Sequence, residues 1–220
     1  MDKLKRHGRS LAVAGTVAAL ALGAGACSSG GGAAVRAAVA LSEPDQVRDA
    51  MPSVASLPSG WGSSPGAKPP EIIQQAEATK TCRKKLNMDC TGLQLGGSVR
   101  YELASDTDND IRFTLLTFDS VENSGPVFEA LAASMQKDDG DVRAIGLKVA
   151  ADQSQGFEEP ADSADSASGG VAASMVLRVG TVVALIELDE DERDHRTLQQ
   201  FSALQAERIK RVQQGANPDA

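Results

Sequence analysis

The stretch SVRYELASDTDNDIRFTLLTF, residues 98–118, decides the fold of this chain. Val99, Tyr101 and Leu103 alternate with charged residues, and this period of two predicts a half-buried strand. Residues 111–118 are predicted to return as a second strand, and their apolar side chains fall on both faces, as in a strand deeper in a sheet. The stretch therefore predicts a hairpin of an antiparallel sheet.

Asp106 to Asp110 is predicted to form the turn of this hairpin, because Asp and Asn tolerate unusual backbone angles. The alternating aspartates resemble a calcium-binding loop. However, Ile111 stands where that loop needs glycine, and Thr117 stands where it needs a bidentate glutamate. We therefore predict no metal site here.

A helix is expected after the hairpin, entered at Gly125-Pro126, with apolar residues spaced i, i+3, i+4 and i+7 from Phe128. Strand, strand and helix recur over residues 171–179, 182–188 and onward to about Gly215. We therefore predict an α+β fold, in which helices pack on an antiparallel sheet of about five strands built from two ββα units.

Four other segments complete the prediction. A short helix is expected after Pro44 with Ser42 as its cap, and a second helix over residues 71–85. Residues 144–149 are expected to add one strand. Residues 155–170 are rich in Ser, Asp, Ala and Gly, and are predicted to form a mobile acidic loop.

The N-terminal segment predicts export. Four basic residues precede an uncharged apolar run, Leu11 to Gly25, whose length is typical of a secretory signal and short for a membrane span. Ala24-Gly25-Ala26-Cys27 is similar to a bacterial lipobox, in which the cysteine is acylated, although Ala24 replaces the usual Leu or Val. The same residues also fit ordinary signal peptidase, so a freely secreted protein is the alternative.

These signals predict a lipoprotein signal peptide over residues 1–26, a flexible Gly/Ala/Ser tether over 27–40, one extracytoplasmic domain over 41–215 and a disordered tail over 216–220. The expected location is the outer face of the cell membrane. Attachment would come from the acyl chains on Cys27, such as palmitate.

The net charge of the chain limits the classes of partner that it can bind. The net charge is −8, and removing residues 1–26 takes away four basic residues and one acidic residue, which leaves −11. Such an acidic protein is a poor binder of nucleic acid. The expected partners are instead the membrane, through acyl chains only, and an envelope protein or a small amphipathic ligand.

Two cysteines remain besides Cys27. In an exported protein, Cys82 and Cys90 are expected to form a disulfide. Two separate thiols and a metal site are the alternatives. The spacing matches no zinc motif, and no histidine lies nearby in the sequence.

Few residues point to catalysis. His195 is the one histidine after the signal peptide; it is interpreted as an exposed helix residue, and no G-x-S-x-G motif is present. Glu102 and Glu187 are candidate carboxylates for a hydrolase. The acidic run 189–194 is interpreted as the start of the last helix, and Trp61 as a core residue. No cofactor is expected.

Several segments together resemble a known group: residues 57–61, the downstream cystine, 118–120, 151–154 and 176–183. Over about residues 45–215 the chain is similar to actinobacterial envelope lipoproteins related to the extracellular sensor domain of mycobacterial serine/threonine kinases. The resemblance implies an α+β fold with a cleft suspected of holding a ligand. The kinase domain has two disulfides where this chain can form one, and Ala151 replaces a glycine, so no ligand-site residue is carried over.

These observations predict a lipid-anchored, non-enzymatic domain in a sensor or accessory role, which binds a small ligand or an envelope partner. A cell-envelope hydrolase that uses carboxylates and a structural or assembly lipoprotein are the alternatives.

Overall fold

The computed structural model describes residues 39–62, 68–136, 142–159, 171–190 and 195–219. The predicted signal peptide, Cys27 and the tether up to residue 38 lie outside these residues. The described residues form four α-helices and one antiparallel sheet of seven strands. The predicted α+β fold is therefore confirmed.

The bounds of the elements are as follows. The helices are α1 Pro44–Ala50, α2 Gln75–Leu86, α3 Val121–Met135 and α4 Arg196–Gln213, with a 3₁₀ turn at Val54–Ser56. The strands are β1 Glu71–Ile73, β2 Leu93–Leu103, β3 Asp106–Phe118, β4 Arg143–Ile145, β5 Gln153–Glu158, β6 Val171–Val179 and β7 Val182–Glu190. Their order across the sheet is β1-β2-β3-β7-β6-β5-β4.

The two ββα units are present as β2-β3-α3 and β6-β7-α4, and their hairpins join where β3 pairs with β7. Two of the seven strands were not predicted. β1 occupies the first residues of the predicted second helix, and β5 occupies residues 153–158, which overlap the predicted loop 155–170. Both strands form through backbone pairing, to β2 and to β6 respectively, which polar side chains do not prevent.

The hairpin turn lies earlier than predicted. Ala104 and Ser105 form the turn, and Asp106 to Asp110 belong to β3. The pairing of Glu102 with Asp110 continues the ladder almost to the turn, with a register shift before Leu103. Extended backbone with a bulge therefore replaces the expected aspartate turn.

Helix starts also differ from the prediction. α3 begins at Val121, because the Ser120 side chain accepts a hydrogen bond from the Asn123 N–H, and Gly125-Pro126 lies inside the helix. Glu43 rather than Ser42 caps α1, in a capping box with Gln46.

Smaller differences concern single segments. The strand expected over 144–149 is limited to β4. The predicted loop residues 160–170 and the acidic residues 191–194 lie outside the described residues, and Asp189 and Glu190 belong to β7. In the segment 216–219, which is predicted to belong to a disordered tail, the Ala216 N–H bonds to the Arg211 carbonyl of α4, and residues 218 and 219 form a turn.

Helices cover both faces of the sheet. α1 and α4 pack on one face, around Phe113, Met175, Ile186 and Phe201. α2 and α3 pack on the other face, around the buried residues Phe118, Phe128, Phe157, Val176 and Val183. Each strand between them therefore contributes side chains to two cores, as its alternation predicts.

A glycine of β2 allows α1 to lie against the sheet. A Cβ on Gly97 would stand 2.7 Å from Met51 Cε and 2.8 Å from Val47 Cγ1, which is closer than real Cβ atoms approach. The bare backbone of Gly97 therefore fixes the distance between α1 and β2. In the described part of the chain, no helix has both the length and the apolar character needed to cross a bilayer.

Candidate functional site

An open trough on the sheet surface is the candidate site. It begins where α3 ends, at Met135, and encloses about 210 Å³. Its floor and walls come from four strands and from the residues near the end of α3: Asp110, Arg112, Met135, Val142, Phe157, Glu159, Ala172, Ala173, Ser174, Glu187, Leu188 and Asp189. α3 covers one part of this sheet face and leaves the trough exposed.

Strand register aligns the floor of the trough. Arg112 of β3 pairs with Glu187 of β7, Glu187 pairs with Ser174 of β6, and Ser174 pairs with Phe157 of β5. Paired residues of antiparallel strands project from the same face. Buried Phe157 therefore supplies an apolar end to a row whose other end carries charge.

The trough is predominantly acidic. Asp110 pairs with Asp189 two residues further along the strands, so both project from the face that carries Glu187. An ion pair of 2.6 Å joins Arg100 to Asp110, whose side chain is 17% exposed. With Glu159, the lining contains four carboxylates against one guanidinium. The field of these groups favours a cationic ligand.

The sequence-derived carboxylate pair is not brought into one cavity. Glu187 lines the trough, whereas Glu102 lies in β2, two strands away on the same face, and is not part of the lining. The strand register places their Cα atoms roughly 12 Å apart, at two strand spacings and two residues of rise. Among the described lining residues, the hydrolase pair is therefore incomplete.

His195 lies just before α4 and not within it. It is the N-cap residue, with Nε2 3.5 Å from Glu158 Oε2 of β5, and its side chain is only 27% exposed. The interpretation as an exposed helix residue is therefore wrong. The contact joins the start of α4 to β5 on the face of the sheet opposite to that of Phe157.

No metal-ligating cluster is present in the described ranges: no three His, Cys, Asp or Glu side chains are grouped to hold an ion. Asp106 and Asp110 lie in extended backbone instead of a calcium-binding loop.

The two described cysteines form a disulfide. Cys82 in α2 is bonded to Cys90, which precedes β2, and both residues are buried. The bond therefore fixes the end of α2 next to the first long strand.

Trp61 is a core residue. The residue is 8% exposed, and its ring meets that of Phe201 edge-on, with ring centroids 5.1 Å apart. Phe201 in turn contacts Phe113, and Phe113 contacts Tyr101. Four of the seven aromatic residues of the chain thus form one group between α4 and the sheet, and the other three lie in the core on the opposite face.

Sequence reasoning missed Arg112, Ser174 and Phe157. A local signal existed for Arg112, because charged residues 110 and 112 alternate with buried Ile111 and Phe113. No local signal exists for the alignment of all three, since it depends on pairing among β3, β7, β6 and β5.

No protein-family model and no curated protein sequence matches this chain. Among solved structures, the chain is similar to the extracellular domain of PknH from Mycobacterium tuberculosis, with 9% sequence identity and a TM-score of 0.48. The likeness covers 76% of this chain and 91% of that domain. A likeness of this degree establishes neither a family nor a function.

Proposed function

We propose that this chain is a lipid-anchored, non-enzymatic domain on the outer face of the cell membrane. Its proposed role is to bind a cationic, partly apolar ligand or a basic segment of an envelope protein. The observation that carries the binding role is the trough. α3 ends before the sheet face is covered, and the uncovered part combines the half-buried side chains of Met135 and Val142 with Glu187 and Asp189.

An apolar surface beside several carboxylates matches an amphipathic cation. The half-buried side chains of Met135 and Val142 offer contact area to an alkyl group, while the carboxylates attract a positive head group. An anionic ligand would meet four carboxylates and a chain of net charge −8. The expected selectivity is therefore for positive charge.

Two observations support export. The first is the signal-like N-terminal pattern before Cys27. The second is the Cys82–Cys90 disulfide, because such bonds persist in oxidising compartments. Cys27 has no cysteine left to pair with within the chain and is available for acylation.

The anchor is tested by metabolic labelling with a palmitate analogue. The wild-type chain is expected to incorporate the label and to fractionate with membranes, whereas Cys27→Ala is expected to do neither. Equal labelling of both chains contradicts acylation at this residue.

The trough is tested with two probes of matched size and opposite charge, hexyltrimethylammonium and hexyl sulfate, by NMR chemical-shift titration. We expect the cation to bind, and the double variant Glu187→Gln with Asp189→Asn to bind it at least tenfold more weakly. Glu122→Gln, at an exposed position of α3 outside the lining, is the control and keeps wild-type affinity.

The alternative in which the trough binds a segment of an envelope protein is tested by a pull-down from solubilised membranes. If the wild-type chain retains one dominant protein from solubilised membranes and the double variant does not, the trough binds a protein segment. Equal binding of the two probes, or no effect of the double variant in either assay, contradicts a role for the trough.

A further inference from the structure

A second cavity, of about 470 Å³, lies on the α1 side of the molecule. The end of α1, the following residues 51–54, the segment 68–70 and the residues after α4 surround it. Tyr101 and Arg208 lie at its base, and Pro52, Val54 and two further prolines form apolar walls. Nothing in the trough contributes to this cavity.

Arg208 is the unusual residue of this cavity. Its side chain is 4% exposed, although an isolated buried guanidinium is costly and needs partners. Nε donates to the Met51 carbonyl at 2.9 Å, and Nη2 donates to the Asp49 carbonyl at 2.9 Å. These bonds cap the end of α1, but neither carbonyl neutralises the positive charge.

The charge is neutralised by Asp219, a residue of the segment that follows α4. Nη1 of Arg208 donates to its carboxylate, and Ser53 Oγ donates to the same oxygen at 3.2 Å. The carboxylate enters from the solvent side, and its side chain is 50% exposed. A buried cation is thus paired with a carboxylate that sits at the mouth of the cavity.

The cavity around this pair contains more cations than the acidic composition of the chain would suggest. Besides Arg208, the lining contains the cations Arg48 and Lys68, against Asp49 and Asp219. Arg48 is paired with Asp45 on the surface of α1. If Asp219 moves away, the cavity keeps three cations and one carboxylate, so it becomes positive in a protein of net charge −8.

From this geometry we propose that the cavity is a binding site for an organic carboxylate with an apolar group, and that Asp219 occupies its anion position as an internal competitor. An incoming carboxylate accepts the bond from Arg208 Nη1 and from Ser53, and its apolar group lies along the proline and valine walls. Ligand binding therefore releases Asp219 and the segment that carries it.

This proposal does not depend on the function proposed for the trough. The alternative hypothesis is a purely structural role, in which Arg208 and Asp219 only hold the residues after α4 against α1. The two roles predict different responses to added carboxylate, because an internal competitor lowers the apparent affinity for an external one.

The experiment uses the full chain, with 3-fluorotyrosine at Tyr101, the single tyrosine. Its ¹⁹F resonance reports on the cavity, because Tyr101 is part of the lining and donates to the Pro52 carbonyl at 2.6 Å. The probe is 3-phenylpropionate at pH 7, with uncharged 3-phenylpropionamide as its control ligand.

We expect Asp219→Ala to bind 3-phenylpropionate at least tenfold more tightly than the wild type, to shift the Tyr101 resonance, and to gain thermal stability from the probe. Asp219→Asn, which keeps the side-chain shape, is the second variant and is expected to respond in the same direction. Asp89→Ala, which removes an exposed carboxylate from Arg83 outside the cavity lining, is the matched control and is expected to bind like the wild type.

The proposal is overturned if neither Asp219 variant, shown to be folded by circular dichroism, binds the carboxylate more tightly than the wild type. Equal gains in Asp89→Ala, or equal binding of the uncharged amide, overturn it as well. If the Asp219 variants fold only when the carboxylate is present, the outcome supports the proposal, because the probe then replaces the missing counter-ion of Arg208.

Discussion

Asp152 accepts a hydrogen bond from the backbone N–H of Gly180, with its Oδ2 atom 2.7 Å from that nitrogen. Arg178 completes the contact: its Nη1 lies 3.4 Å from the same carboxylate oxygen, and its Nε donates to Gln153 at 2.6 Å. Gly180 begins the turn between β6 and β7 and has a φ of 55°. Two segments that carried the sequence resemblance, 151–154 and 176–183, thus meet in a contact that holds a hairpin turn.

Asp152→Ala is therefore expected to lower the free energy of unfolding by about 1 kcal/mol, as the loss of one hydrogen bond to a partly exposed carboxylate does. Urea denaturation followed by circular dichroism measures the change. Glu207→Ala, which removes an exposed pair with Arg211, is the control, with an expected effect below about 0.5 kcal/mol. Equal effects of the two substitutions contradict a structural role for Asp152.

The Cys82–Cys90 disulfide is expected to stabilise the fold by about 2.5 kcal/mol, because a closed loop of about eight residues restricts the unfolded chain. The double variant Cys82→Ala with Cys90→Ala should lose this amount in urea denaturation. Dithiothreitol should lower the stability of the wild type and leave the variant unchanged. If the reductant affects both proteins alike, its effect does not come from this bond.

The alternation at Val99, Tyr101 and Leu103 predicted β2 because one side of that strand faces a core. In β5, residues 153–156 are Gln-Ser-Gln-Gly, and they carry no such signal. That segment is a strand because its backbone pairs with β6, a partner that local sequence does not reveal. Elements with a regular alternation of buried and exposed side chains were thus predictable, and elements without this alternation, which depend on a distant pairing partner, were not.

The two cavities differ in what the sequence reveals. The trough depends on the register between β3 and β7, which joins residues such as Arg112 and Glu187 that lie far apart in the chain. For the Arg208 cavity, the sequence does contain a local signal. Arg208 falls on the same face of α4 as the buried residues Phe201 and Gln205, where a charged side chain requires a partner. Only the identity of that partner needed the structure.

Trp61 offers a direct measure of core packing, because it is the single tryptophan. In the folded state, acrylamide is expected to quench its fluorescence weakly, since the residue is 8% exposed and its ring packs against Phe201. Quenching should rise on denaturation. Phe201→Ala should increase quenching in the folded state and cost about 3–5 kcal/mol. Strong quenching of the folded wild type contradicts the buried position.

The Arg208–Asp219 pair is expected to make stability depend on pH in the acid range. The hydrogen bond from Arg208 holds the pKa of Asp219 below its ordinary value of 3.8. The folded state therefore favours the charged carboxylate, and its contribution is complete above the pKa of the unfolded chain. The contribution is lost as the pH falls through the lower pKa of the folded state.

The measurement compares the melting temperatures of the wild type and Asp219→Asn in buffers without carboxylates. Between pH 6 and 8 the wild type should melt higher by a constant margin, because arginine stays charged and the carboxylate is fully ionised. Below about pH 4 the margin should shrink, as protonation gives Asp219 the neutral character of the variant. A margin that stays constant down to pH 2.5 contradicts an ionic contribution of Asp219 to stability.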